Sequence, residues 1–228
     1  MLQVFGPGLW LADGPEIRAM AGFHYPTRMA VARLPDGGLW LWSPVHLTPA
    51  LLEAIEALGP VHHIVAPTRL HHMALSDWAH FCPEAQIHAA PGLRAKRGDI
   101  AFAADLGVAP PPDWDGLIAQ VIWPNKIADE VTFFHRASGT VLFTDLLQQM
   151  PRGWYRGWRR MVAGLDLMTG KEPQVPRKFR MATRDRVTAK AALGQIEAWQ
   201  PARVVMAHGP PVTDGVPAFL RRAFAWLG

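Results

Sequence analysis

VHHIVAPTRLHHMAL, residues 61–75, is a short apolar run stopped by Pro67 and followed at once by a loop that carries histidines. Open α/β sheets place their sites beyond the carboxyl ends of strands, which is where this loop falls. Upstream, Thr48-Pro49 is an N-cap with proline at the first helical position, and ALLEAIEALG keeps helical apolar spacing up to Gly59. Before that helix, MAVARLP and GLWLWSP flank the turn residues Pro35-Asp36-Gly37-Gly38 and predict a hairpin, with GLWLADGP as an earlier alternating strand.

Downstream, residues 76–81 read as a helix and residues 86–90 as a short strand, and Pro110-Pro111-Pro112 marks a loop. LIAQVIWP is a strand, and EVTFFHRASGTVLFTDLL is two β-rich runs around the turn at residues 135–139. A helix over about 188–199, the strand ARVVMAH, the turn Gly209-Pro210-Pro211 and a helix over 216–227 complete the chain. The order lacks the regular alternation of a doubly wound sheet. It suits two packed sheets with helices outside.

Three apparent strands end in residues able to bind a cation: His71 and His72 after the first run, Asp145 after GTVLFT, and His208 after ARVVMA. A lone histidine at a strand end is more often a hydrogen-bonded structural residue, and an aspartate there is commonly a turn or cap. Their joint order is what speaks for a site. Imidazole with carboxylate suits zinc, manganese or iron, and a bound divalent ion lowers the pKa of coordinated water toward neutrality.

In this order and in these motifs the chain resembles the metallo-β-lactamase-like superfamily, as a divergent branch with a reduced ligand set. The superfamily loop T-H-x-H-x-D-H corresponds to Thr68-Arg69-Leu70-His71-His72-Met73-Ala74, so that only Thr68 and the second histidine, His71, are kept. Gly139 to Asp145 closely resembles the strand that delivers the bridging aspartate, and Ala207-His208-Gly209 the final histidine motif. The middle H-T-x-G motif is represented only in position by residues 126–130, which puts Glu130 at the site's edge, and Ser43-Pro44 replaces an Asp-x-Gly. The resemblance spans about residues 9–211 and implies an α/β (α+β) fold, a four-layer αββα sandwich. It also implies hydrolysis by one or two metal ions, which the departures reduce to a single divalent metal with His71, Asp145 and His208 as ligands and His72 or Glu130 as a fourth contact. Glu130 and Arg69 are the catalytic candidates, Arg69 opposing the metal unless it turns outward or pairs with Glu130 or Asp145. A metal-free site on the same fold stays open.

Half of the 228 residues are hydrophobic, which is enough for a sizeable core in one domain over 1–228. No run of about 18 apolar residues is present, and the first residues lack a basic, then apolar, leader, so the expectation is a cytoplasmic protein without a membrane span. The lone Cys82 excludes an internal disulfide and a thiolate cluster and reads as a small buried filler. His62 and His63 read as structural.

Charge is unevenly spread. An insertion at about 151–186 holds ten Lys or Arg against three acids, within a chain of formal net charge +4. There Trp154, Trp158, Met161, Val162 and Leu165 recur at helical spacing, which predicts an aromatic stripe packed on the core. The sharper alternative is an anion clamp that uses Arg156 and Arg159, with His24 on an early loop overhanging the site. No dedicated nucleic-acid motif is present. Two functions follow: a metal-dependent hydrolase of a small anionic ester, or a non-catalytic, metal-free binding or scaffold protein that keeps the fold.

Overall fold

The computed structural model describes residues 1–228. Its elements are β1 (Leu2–Gly6), β2 (Leu9–Arg18), β3 (His24–Arg33), β4 (Leu39–Trp42), α1 (Pro49–Glu56), β5 (Val61–Ala66), α2 (Leu75–Phe81), β6 (Gln86–Ala89), α3 (Leu93–Lys96) and β7 (Ala104–Asp105). After these come β8 (Ile118–Trp123), β9 (Glu130–His135), β10 (Thr140–Gln148), α4 (Gly157–Leu165), α5 (Arg177–Ala182), α6 (Arg186–Ala198), β11 (Arg203–His208) and α7 (Val216–Ala223). A seven-stranded sheet runs β1 through β7 in sequence order, and a four-stranded sheet runs β11-β10-β9-β8.

Three apolar clusters define the layers. Between the sheets, Leu9, Ala30, Trp40, Trp42 and Val65 of the larger sheet meet Ile118, Val131, Phe133, Leu142 and Val205 of the smaller. On the outer face of the larger sheet, Val31, Leu41 and Ile64 take Ile55, Leu75, Trp78 and Leu93 from α1 to α3. On the outer face of the smaller sheet, Val121, Phe143 and Met206 take Phe179, Ile196, Phe219 and Leu220 from α5 to α7. The inner strands thus bury both faces, and the result is the αββα sandwich that the sequence motifs imply.

Local signals mostly hold. The Thr48 hydroxyl accepts from the Leu51 amide, and α1 begins at Pro49. The β3–β4 hairpin pairs Ala30 with Trp42 through Arg33 with Leu39. Strand β1 carried no signal, since its exposed Gln3 and Val4 give no apolar alternation. Strand β2 runs past Gly14-Pro15 to Arg18 because a register shift between Gly14 and Ile17 accommodates the proline. The last helix stops at Ala223 and is followed by a 3-10 turn over Ala225–Leu227. Cys82 is the half-buried C-cap of α2 rather than a core filler, and burial, then Glu56, pushes its thiol up.

The predicted aromatic stripe is a clear correction. Helix α4 buries only Ala163, while Trp158, Met161, Val162 and Leu165 lie open to solvent. Trp154 precedes the helix and stacks on His24 instead.

Buried histidines set the acid response. His63 Nδ1 lies 3.1 Å from His88 Nε2, and Trp114 packs edge-on against both rings. Burial, then His63, lowers the His88 ring to about 4, and burial lowers His135 to about 4. A folded pKa below the unfolded value of about 6.5 gives stability that is present above pH 6.5 and lost as pH falls toward 4, by up to about 3 kcal/mol per group. Denaturant melts between pH 4 and 7 are expected to show this loss, partly offset by buried Glu130, whose carboxyl is raised to about 7 and so favours the fold as pH falls. The variant His135→Asn, which lacks the titrating ring, is expected to show a shallower one.

Candidate metal centre

The centre begins with a break in β10. Its parallel ladder with β11 runs from Thr140–Arg203 to Phe143–Met206 and resumes only at Gln148–His208, while its pairing with β9 stops at Leu142. The amides of Thr144, Asp145 and Leu146 therefore leave the ladder inside the protein, where an unpaired donor costs about 1–3 kcal/mol. Glu130, at the start of β9, takes all three. Its Oε1 accepts from Thr144 N, and its Oε2 accepts from Asp145 N and Leu146 N, each at 2.8 Å. Burial, then the Asp145 carboxylate, pushes the Glu130 carboxyl up to about 7, against the amide hydrogen bonds. Glu130 also bridges Thr68 through the backbone, and Val131 N donates to the Pro67 carbonyl at 2.8 Å, so the histidine loop is tied to the same point.

This bend turns Asp145 toward two rings. His71 Nε2 lies 3.2 Å from His208 Nε2, and the two nitrogens face different oxygens of Asp145, His71 Nε2 at 3.5 Å from Oδ2 and His208 Nε2 at 3.5 Å from Oδ1. His208 and Asp145 are buried. His208 Nδ1 contacts the Pro26 carbonyl at 2.6 Å. A carbonyl only accepts, so Nδ1 carries the hydrogen and Nε2 presents its lone pair. His71 Nδ1 lies 2.7 Å from Ser43 Oγ, and with that hydrogen donated to the hydroxyl, its Nε2 lone pair faces the same point. Two lone pairs and a carboxylate then converge without a donor between them, and Asp145 Oδ2 is buried with no hydrogen-bond partner. Burial raises the Asp145 carboxyl; in the alternative protonation state, with both rings donating toward it, His71 and His208 outweigh burial and hold it well below the carboxylate range.

A zinc ion about 2.0–2.1 Å from each ligand in a tetrahedron separates them by about 3.3 Å, close to these spacings. One ligand atom from each of His71, Asp145 and His208 lies within 4.8 Å of the others, so the three fit one ion with a fourth position left over.

The supports come from distant segments. Ser43, just past β4, has a φ of 52°, a left-handed conformation that costs a non-glycine residue about 1–3 kcal/mol. Arg28 Nε donates to Asp13 at 2.7 Å, and its Nη1 donates to the carbonyls of Met206 and Gly209, which holds the turn after His208. A Cβ on Gly209 would come 3.0 Å from Gln149 N, so only glycine leaves room for the Gln149 amide to donate to the His208 carbonyl. Tyr25 packs its ring 5.2 Å from that of His208.

Other residues named from the sequence lie elsewhere. His72 turns away from the trio, its Nδ1 3.2 Å from Arg97 Nη1, which also donates to its carbonyl. Arg69 points outward and donates to the Ile127 carbonyl, which removes its charge from the centre. Glu130 is a backbone anchor rather than a ligand or catalytic group, because its oxygens are occupied by the three amides. Arg159 Nε donates to the Ala21 carbonyl, Arg156 is the exposed residue before α4, and the His24 carbonyl accepts from Trp154 Nε1 and Tyr155 Oη.

Two cavities flank the trio. One, of about 670 Å³, is lined by Pro26, Arg28, Gln149, Arg152, Trp154 and Lys171 and abuts Ala207 and Gly209 on either side of His208. The other, of about 270 Å³, reaches Ser43, His71, His72 and Met73. Thr27 lines both, whereas Arg156, Arg159 and His24 line neither. Arg28 and the carbonyl of Pro26 carried no motif, and Ser43 stood out only as part of the Ser43-Pro44 that replaces an Asp-x-Gly; Arg28 opposes Asp13 across the β2–β3 register.

Comparison with known proteins agrees with this fold. Residues 15–95 match the model of a domain of unknown function, DUF4336. No curated protein matches the sequence significantly. Among solved structures, the metal-soaked Flv1 flavodiiron core from Synechocystis sp. PCC6803 is similar over 100% of this chain and 60% of its own, with a TM-score of 0.71 and 12% identity. The mono-zinc form of the metallo-β-lactamase FIM-1 from Pseudomonas aeruginosa gives 0.63 and 13%, covering 100% of this chain and 92% of its own. A metallo-β-lactamase from Pontibacter korlensis gives 0.67 and 12%, covering 100% and 98%. The chain spans less than two thirds of the flavodiiron core. Its fold is that of the metallo-β-lactamase-like proteins, with a His-Asp-His cluster at the sheet edge.

Glu130→Gln is expected to lower unfolding free energy by about 1–3 kcal/mol, because its amide nitrogen would face a backbone donor. Urea melts of the variant and wild type measure this directly.

Proposed function

We propose that the chain is a metal-dependent hydrolase of a small anionic ester, built on one divalent ion (zinc, manganese or iron) held by His71, Asp145 and His208. The convergence of two imidazole lone pairs and a buried, unpaired carboxylate oxygen carries this reading. That FIM-1 is known in a mono-zinc form supports a single-ion site on this fold. An ion bound there supplies Lewis acidity and activates water near neutral pH.

The chain's own residues do the rest. Pro26 and Ser43 orient the two rings, and Tyr25 limits the motion of His208. Arg152 and Lys171 line the larger cavity, and no side chain of the protein pairs with them, so their charge is free for an anionic group. Arg28 also lines it but is spent on carbonyls and Asp13. Trp154 and Met150 form an apolar wall that keeps water from a bound ester. The anion contacts therefore move from the Arg156 and Arg159 of the sequence reading to Arg152 and Lys171.

Protein purified without added metal and analysed for elements is expected to carry one transition-metal ion per chain. Its hydrolysis of p-nitrophenyl phosphate should be lost on chelation and restored by zinc, manganese or iron. His71→Ala and His208→Ala are expected to abolish metal retention, and Ser43→Ala to weaken it about 10–100-fold. Lack of any stoichiometric metal, with no activity gained on adding one, would favour the metal-free binding protein instead.

A further inference from the structure

Helix α4 is mounted with its apolar stripe outward. Trp158, Met161, Val162 and Leu165 stand at spacings of three and four residues on one face, with Trp158 51%, Met161 64% and Leu165 59% exposed. The sole buried residue, Ala163, lies on the far side of the helix. A helix of a soluble protein ordinarily turns such a stripe to the core. Here the core side is held by other means: Arg159 Nε donates to the Ala21 carbonyl at 2.7 Å, and Phe23 meets the Trp158 ring edge-on at 5.7 Å. Those contacts bring the 3-10 turn over Met20–Gly22 alongside the helix, with Met20 itself 90% exposed.

The charge along this segment has one sign. From Arg152 to Leu165 there are four arginines and no acid. Arg160 is exposed and borders a shallow depression with Met161 and Leu165, and Arg156 is the exposed N-cap residue of the same helix. A second copy packed through the same helix would set arginines against arginines, which disfavours self-association by this face. An anionic surface is complementary to it. The residue types fit the boundary of a lipid bilayer: aliphatic and methionine side chains for the acyl region, tryptophan for the headgroup level, and arginines whose stems reach back to phosphates.

We propose that the α4 face, with Met20, docks the protein on an anionic lipid surface. The helix lies flat on the bilayer, sinking the stripe and leaving Arg156 and Arg160 among the headgroups. Arg152 and Trp154, which line the larger cavity, immediately precede this helix, so the cavity wall is continuous with the docked segment. Each basic residue near such a surface contributes about fivefold in binding.

Sedimentation of the full chain with vesicles of phosphatidylcholine alone, and of phosphatidylcholine and phosphatidylglycerol in equal parts, tests this. The protein is expected to bind the anionic vesicles and not the neutral ones, and to be released by salt. Met161→Glu/Leu165→Glu, which alters only exposed positions, is expected to lose at least tenfold in binding with its thermal midpoint unchanged. Arg156→Glu/Arg160→Glu should do the same. Absence of binding to anionic vesicles, or binding that survives both pairs of substitutions, would overturn the proposal. A dimer of the wild type that Met161→Glu/Leu165→Glu converts to a monomer, without vesicle binding, would overturn it in favour of a second copy. None of these readouts depends on metal or hydrolysis.

Discussion

A buried carboxylate that accepts three consecutive amides governs the arrangement of the centre. Strand β10 cannot leave both neighbours in the middle of a packed sheet unless something takes up its orphaned N–H groups, and Glu130 does so from β9. Because the same residue bridges to Thr68 through the backbone, the bend in β10 and the start of the histidine loop are fixed to one point. His208 is then set against them by the resumed ladder at Gln148 and by the Pro26 carbonyl. Loss of that carboxylate would disturb the centre without removing one of its cation-facing atoms.

The reduced pattern of the histidine loop is coherent in this light. Arg69 stands where the superfamily motif has a histidine, and a guanidinium beside a cation would oppose binding, yet its hydrogen bonds to the Ile127 carbonyl carry it outward. His72, adjacent to His71, faces Arg97. Neighbouring residues in this loop thus part to opposite sides, leaving a three-residue set instead of a crowded two-ion one. Ser43, where the superfamily motif has a carboxylate, instead meets His71 Nδ1 at 2.7 Å.

Much of the architecture was legible because it rests on local chemistry: proline and glycine at turns, the Thr48 cap, and apolar runs of strand length. The joint order of His71, Asp145 and His208 was legible for the same reason, since each ends a strand. What escaped depends on partners far apart in the chain. No motif announces that Pro26 offers a carbonyl to His208, that Arg28 clasps the turn at Gly209, or that Glu130 serves backbone amides. The α4 stripe misled for a related reason. Periodicity reports that an apolar face exists, but which way it turns is decided by Arg159, Ala21 and Phe23.

One point in space, between two imidazoles and a carboxylate, decides whether the chain holds a metal. A crystal of zinc-loaded protein measured at the zinc absorption edge reports on it directly. The account predicts a single anomalous peak about 2.0–2.1 Å from His71 Nε2, His208 Nε2 and an oxygen of Asp145. A map without a peak there, or with zinc bound only at other side chains, would contradict it.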